Sequence, residues 1–179
     1  VSLAERYPDK NFIGVDIKGA RMWRGAKTAT EQEMRNAGFL RTRIEFIDSC
    51  FAPGEVDEIW ITFPDPQLRK GRVKKRLTAP EFLTRYARFL RPGGPIHLKS
   101  DCRHLHDTRT VAEGNALPIE ACNTDIYGTG FADDLLSIKT TYEKRFLAQG
   151  VPITYIRFSL DGHTEFAPVE FAPDELLQR

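Results

Sequence analysis

Asn11-Phe12-Ile13-Gly14-Val15-Asp16-Ile17 is apolar on both faces and rich in branched residues, the pattern of a buried parallel strand closing on an acid. From Gly19 to Arg35, Ala20, Trp23, Ala26, Ala29 and Met34 approximate one face of a helix, with Gly38 just past its end. Ala37 to Thr42 predicts a short second strand. Ile44 to Phe51 supports two readings: Ile44 and Phe46 alternate as in a strand, whereas Ile44, Ile47 and Phe51 recur at helical spacing. The helical reading is favoured, closed by Pro53-Gly54. Glu58 to Phe63 predicts a third strand ending before Asp65. Thr78-x-x-Glu81 reads as a capping box, with Pro80 in the first turn of a helix that buries Phe82, Tyr86, Phe89 and Leu90. Pro92-Gly93-Gly94 stops it. Pro95 to Lys99 predicts a fourth strand, and Asp101 follows. The last third yields only a helix around Thr141 to Ala148 and a strand from Ile153 to Phe158. Val1 to Tyr7 reads as the end of a helix.

Strands alternating with helices imply βαβ units and a parallel sheet, and such α/β sheets bind ligands beyond the carboxyl ends of their strands. Asp16, Asp65 and Asp101 each stand at such an end, so three strands are expected to deliver carboxylates to one rim. With 179 residues, no internal repeat and no low-complexity linker, one domain over 1–179 is expected, with 161–179 as a C-terminal tail.

Composition removes several classes. With 41% hydrophobic residues and a net charge of +1, the chain does not resemble a disordered one. No apolar run approaches the ~20 residues that span a bilayer. Cys50, Cys102 and Cys122 are an odd set in no zinc-ribbon spacing, and read as reduced thiols of a cytoplasmic protein. Cys102-x-His104-x-His106 alternates across helix faces and no second Cys/His pair supports it, so no metal is expected.

Asp16 suits the acid that hydrogen-bonds the ribose hydroxyls of a nucleotide cofactor, or equally a helix-capping Asp. Leu90-Arg91-Pro92-Gly93-Gly94 before a strand occurs in S-adenosylmethionine-dependent methyltransferases and in ordinary turns. The most specific stretch is Phe63-Pro64-Asp65-Pro66-Gln67-Leu68-Arg69-Lys70-Gly71-Arg72-Val73-Lys74-Lys75-Arg76-Leu77. Six of the eight residues from Arg69 to Arg76 are basic in a near-neutral chain. Charge runs are usually solvated loops. This one directly follows a strand-end carboxylate stiffened by two prolines, which favours a phosphate-binding site.

That run resembles the signature of the bacterial tRNA (guanine-N7)-methyltransferase family. Asn11 to Asp16, the Phe51 to Val56 turn, Lys99-Ser100-Asp101 and Thr140-Thr141-Tyr142-Glu143 before Arg145-Phe146 match further marks of that family, in order, from Asn11 to Phe158. Gln67 and Leu68 replace its usual Trp and Pro, Arg69 its Lys, and Gly71-Arg72 its Arg-His. Arg43 stands where the family carries an Asp or Asn that contacts adenine. The resemblance implies a Rossmann-like class I methyltransferase fold: a seven-stranded, mostly parallel sheet with helices on both faces, whose first strand and glycine-rich loop are expected upstream of Val1. It implies transfer of a methyl group from S-adenosylmethionine to N7 of guanine 46 in the tRNA variable loop. Asp65 is then catalytic. Asp16, Arg43 and Asp65 face the cofactor. Arg69, Lys70, Gly71, Arg72, Lys74, Lys75, Arg76, Asp101, Thr140, Thr141, Tyr142 and Glu143 face the tRNA. A monomer or homodimer is expected. The rivals are a non-catalytic RNA-binding module, an inactive fragment, and, more remotely, a nicotinamide-dependent Rossmann enzyme.

Overall fold

The computed structural model describes residues 1–67, 70–101 and 103–170, without the side chains of Lys70, Arg103 and His104. The readings that fall on Leu68, Arg69, Cys102 and residues 171–179 therefore lie outside the described residues. The chain divides into two compact units, Val1–Cys50 with Asp133–Ile138, and Phe51–Ala132 with Lys139–Arg179.

The first unit holds α1 (Ser2–Arg6), β1 (Phe12–Asp16), α2 (Gly19–Glu31), β2 (Ala37–Arg41) and a 3₁₀ helix (Ile44–Ser49). β1 and β2 pair in parallel, from Phe12 opposite Ala37 to Asp16 opposite Arg41. The Asn36 side-chain amide donates to the carbonyls of Ala4, Tyr7 and Lys10, tying the end of α1 to the start of β2. Three sequence expectations change here. β1 is parallel but not buried: Ile13 and Val15 are exposed, because β2 is its one partner among the described residues. α2 stops at Glu31 rather than Arg35. Glu33 turns to φ +52 and the Met34 amide reaches back to the Ala29 carbonyl, leaving Gly38 inside β2. The ambiguous Ile44 segment is helical, but in the tighter 3₁₀ form.

The second unit holds β3 (Ile59–Thr62), a 3₁₀ helix (Lys70–Lys75), α3 (Pro80–Tyr86), β4 (Pro95–Asp101), α4 (Arg103–Gly114), β5 (Ile119–Asn123), α5 (Thr141–Ala148) and β6 (Ile153–Ser159). The strand order is β3-β4-β6-β5. β3 runs parallel to β4, while β6 runs against both β4 and β5. The described residues thus form a two-stranded and a four-stranded sheet, half of whose pairings are antiparallel, in place of one seven-stranded, mostly parallel sheet. β4 and β6 are central and buried on both faces. Leu83 of α3, Ile96 and Leu98 of β4, Val111 and Ala112 of α4, and Ile156 and Phe158 of β6 make up the core, each large side chain adding about 1.5–3 kcal/mol.

The expected capping box at Thr78 does not form. Pro80 opens α3 behind Ala79, without a side-chain cap, and the buried Thr78 hydroxyl pairs instead with that of Thr108, at 2.8 Å. Beyond α3, Val56 and Leu90 form a parallel bridge that carries the chain toward β4. Gly94 is needed there: a Cβ would lie 2.7 Å from the Asp57 carbonyl oxygen. No helix among the described residues is long and apolar enough to cross a membrane.

Candidate functional site

β3 and β4 are parallel neighbours, with Thr62 opposite Lys99, so their carboxyl ends bring the Asp65 loop and Asp101 to the same end of the second unit. The Phe63 amide extends the ladder to the Lys99 carbonyl, and the Phe63 ring stacks on Phe146 of α5 at 5.7 Å. Asp65 is exposed, and one of its oxygens accepts the Gln67 amide at 3.0 Å. Asp101 is half-buried and accepts the Ser100 hydroxyl at 3.1 Å.

The basic run does not share one environment. Gly71, Arg72, Lys74 and Lys75 are exposed on the 3₁₀ helix, and Lys74 pairs only loosely with Glu81, at 3.7 Å. Such a surface pair is worth at most about 1 kcal/mol and yields readily to a phosphate. Arg76 is instead buried, with its guanidinium against Asp107 of α4 and the Pro66 carbonyl. Arg69 lies outside the described residues, as does the side chain of Lys70.

Thr140 caps α5 in a full capping box: its hydroxyl accepts the Glu143 amide while the Glu143 carboxylate accepts the Thr140 amide. Thr141 and Tyr142 face outward from that first turn. Glu143 is fully buried. One of its oxygens accepts from Lys99 Nζ and from the Tyr127 hydroxyl, both at 2.6 Å. Burial pushes the Tyr127 phenol up, and its hydrogen bond to Glu143 raises it further. Tyr127 and Asp107 were not legible as site residues, since contacts made across the fold leave no local pattern.

In the first unit, Asp16 ends β1. One of its oxygens accepts the Lys18 amide at 2.8 Å, and the other lies 3.9 Å from Arg21. Arg43 follows β2 at the same end of the ribbon, because the Thr42 amide bonds the Asp16 carbonyl. Its guanidinium is exposed, 3.5 Å from Glu45 and over the Phe46 ring. Among the described residues, no cluster of His, Cys, Asp and Glu is arranged to hold a metal ion. Cys102 and the His104 side chain lie outside them.

A family model for putative methyltransferases matches residues 1–156. The chain is 49% identical over 179 residues to the tRNA (guanine-N(7)-)-methyltransferase of Porphyromonas gingivalis, covering 97% of this chain and 72% of that one. It is 50% identical over 161 residues to the enzyme of that name from Bacteroides thetaiotaomicron, covering 89% of this chain and 63% of that one. Among solved structures it resembles the 16S rRNA (adenine(1408)-N(1))-methyltransferase of Catenulisporales acidiphilia, with a TM-score of 0.62 at 16% identity, over 96% of this chain and 82% of that one. It also resembles the geranyl diphosphate C-methyltransferase of Streptomyces coelicolor, with a TM-score of 0.57 at 16% identity, over 88% and 67% of the two chains. At such identities these likenesses speak for the fold alone, an α/β methyltransferase fold. The extent of the sequence matches, together with a strand-end acid joined to a basic turn, places the chain in the tRNA (guanine-N7)-methyltransferase family.

Proposed function

We propose that this chain transfers a methyl group from S-adenosylmethionine to N7 of a guanine in tRNA, guanine 46 of the variable loop. The observation that carries this reading is Asp65: an exposed carboxylate at the carboxyl end of β3, followed within a few residues by the exposed cations Arg72, Lys74 and Lys75.

N7 of guanine bears an in-plane lone pair and no proton, so its methylation requires no general base. The task is to align that lone pair with the donor methyl and to exclude water. The methylated base becomes cationic. A fixed carboxylate beside it is therefore favoured more in the transition state than in the ground state, and Asp65 takes that role. Arg72, Lys74 and Lys75 hold the flanking phosphates, and Thr141, Tyr142 and Asp101 supply contacts to the extruded nucleotide.

The donor supplies an electrophilic sulfonium methyl. Asp16 fits its ribose: one carboxylate oxygen is held by the Lys18 amide, which fixes the group, and the other, 3.9 Å from Arg21, would accept from the hydroxyls. Arg43 takes the adenine side, through its backbone amide. Arg76 and Glu143, both buried, are assigned to holding the site rather than touching the tRNA.

The test is transfer of labelled methyl to an unmodified tRNA transcript, with the product nucleoside identified by mass spectrometry. Formation of 7-methylguanosine at position 46 is expected. Transfer to another atom or position would overturn the assignment, and tRNA binding without any transfer would favour a non-catalytic RNA-binding module.

A further inference from the structure

We propose that the buried Arg76 and the half-buried Asp107 form a clamp that fixes the loop carrying Asp65, which makes Asp107 a positioning residue for methyl transfer; the proposal rests on Asp65 being the catalytic carboxylate. Arg76 closes the basic run, yet only 8% of it is exposed, whereas Arg72, Lys74 and Lys75 lie open to solvent. Its Nε donates to the Pro66 carbonyl at 3.3 Å, and its Nη1 lies 2.9 Å from the Asp107 carboxylate. A planar guanidinium can serve two acceptors in different directions, which an ammonium on a flexible stem does poorly. Pro66 adjoins Asp65, so the clamp acts one peptide unit from the proposed catalytic carboxylate.

The loop needs such support. Phe63 and Gln67, on either side of Asp65, adopt φ of +48 and +46. Non-glycine residues in that region cost about 1–3 kcal/mol each and persist only where their surroundings hold them. Asp107 and the adjacent Thr108 anchor both ends of the Arg76–Thr78 segment to α4, the second through the buried Thr78–Thr108 contact. A phosphate ligand would present its guanidinium to solvent. Arg76 turns it inward.

The clamp and a phosphate contact predict opposite results. For Asp107→Asn, which is nearly isosteric, the clamp predicts a kcat lowered about ten- to a hundredfold, with tRNA affinity unchanged. Arg76→Lys, which keeps the charge, is expected to behave alike, and the double variant to be little worse than either single one. Arg76→Gln should leave the salt dependence of tRNA binding unaltered. If Arg76 held a phosphate, the slope would fall by about 0.7–0.9 in Arg76→Gln, and Asp107→Asn would leave kcat intact; that pattern overturns the clamp.

Hydrogen exchange on the full chain supplies a readout independent of turnover. Asp107→Asn and Arg76→Lys should each speed exchange at the Gln67 amide relative to amides in β4. Unchanged exchange in both overturns the proposal. A loop that loosens as expected in a chain that never methylates tRNA would overturn the role of Asp65 instead, and leave the clamp standing.

Discussion

Lys99 Nζ lies 2.6 Å from the Glu143 carboxylate, with 3% and 0% of the two side chains exposed. The pair joins the end of β4 to the first turn of α5, from which Thr141 and Tyr142 project. Buried ions are expensive singly and tolerable together. Lys99→Met should therefore cost about 3–5 kcal/mol, because it strands a buried carboxylate, while Lys99→Met with Glu143→Gln should recover much of that. Urea denaturation measures both. A double variant no more stable than Lys99→Met would show that the charge pairing is not what the site needs.

Asp65→Asn removes the charge but keeps the shape. Turnover should fall to background while tRNA affinity changes little, since the phosphates are held by other groups. Single-turnover methyl transfer beside a binding titration separates the two. Unchanged turnover in this variant would remove Asp65 from the mechanism.

Arg72, Lys74 and Lys75 are the exposed cations of the described basic turn. Replacing all three with Ala should weaken tRNA binding and lower the log–log salt slope by about 0.7–0.9 for each phosphate no longer neutralised. A slope equal to that of the parent chain would make the turn a solvated loop.

Two phenols, Tyr86 buried and Tyr127 half-buried, set an alkaline limit. Burial pushes Tyr86 and Tyr127 up from their ordinary value, and Tyr127 is raised further by the Glu143 carboxylate. Each holds its proton in the folded chain at a pH where the unfolded chain releases it. Their contribution is complete below about pH 10 and is lost as pH rises through the raised folded-state values. Denaturation midpoints should fall above about pH 10, less steeply in Tyr127→Phe. Absorbance titration should show the phenols of Tyr86 and Tyr127 ionising above their ordinary value. A titration that Tyr86→Phe and Tyr127→Phe leave unchanged above about pH 10 would contradict these shifts.

β1, β3, β4 and β6 were readable because their apolar and branched residues run almost unbroken and their ends are marked by Asp, Pro or Gly. α4 and β5 were not. The buried face of α4 is Leu105, Thr108, Val111 and Ala112, and the threonine interrupts the stripe at the position where it meets Thr78. β5 alternates, but Glu120 and Cys122 shorten its apolar signal to almost nothing. Thr78-x-x-Glu81 failed in the opposite sense: a correct local pattern lost its hydroxyl to a partner thirty residues away.

The sequence by itself determined the βα alternation, the acids at the strand ends, the basic turn after Asp65 and the helix that follows Thr140, all set by neighbours a few residues apart. Tertiary structure alone decided which of those charges face solvent. Arg76 and Lys75 are adjacent and both cationic, yet one is sealed against Asp107 and the other is open to water. Glu143 and Tyr142 divide in the same way. Burial of a charge depends on a partner arriving from a distant segment to offset desolvation, and no local pattern of residues carries that information.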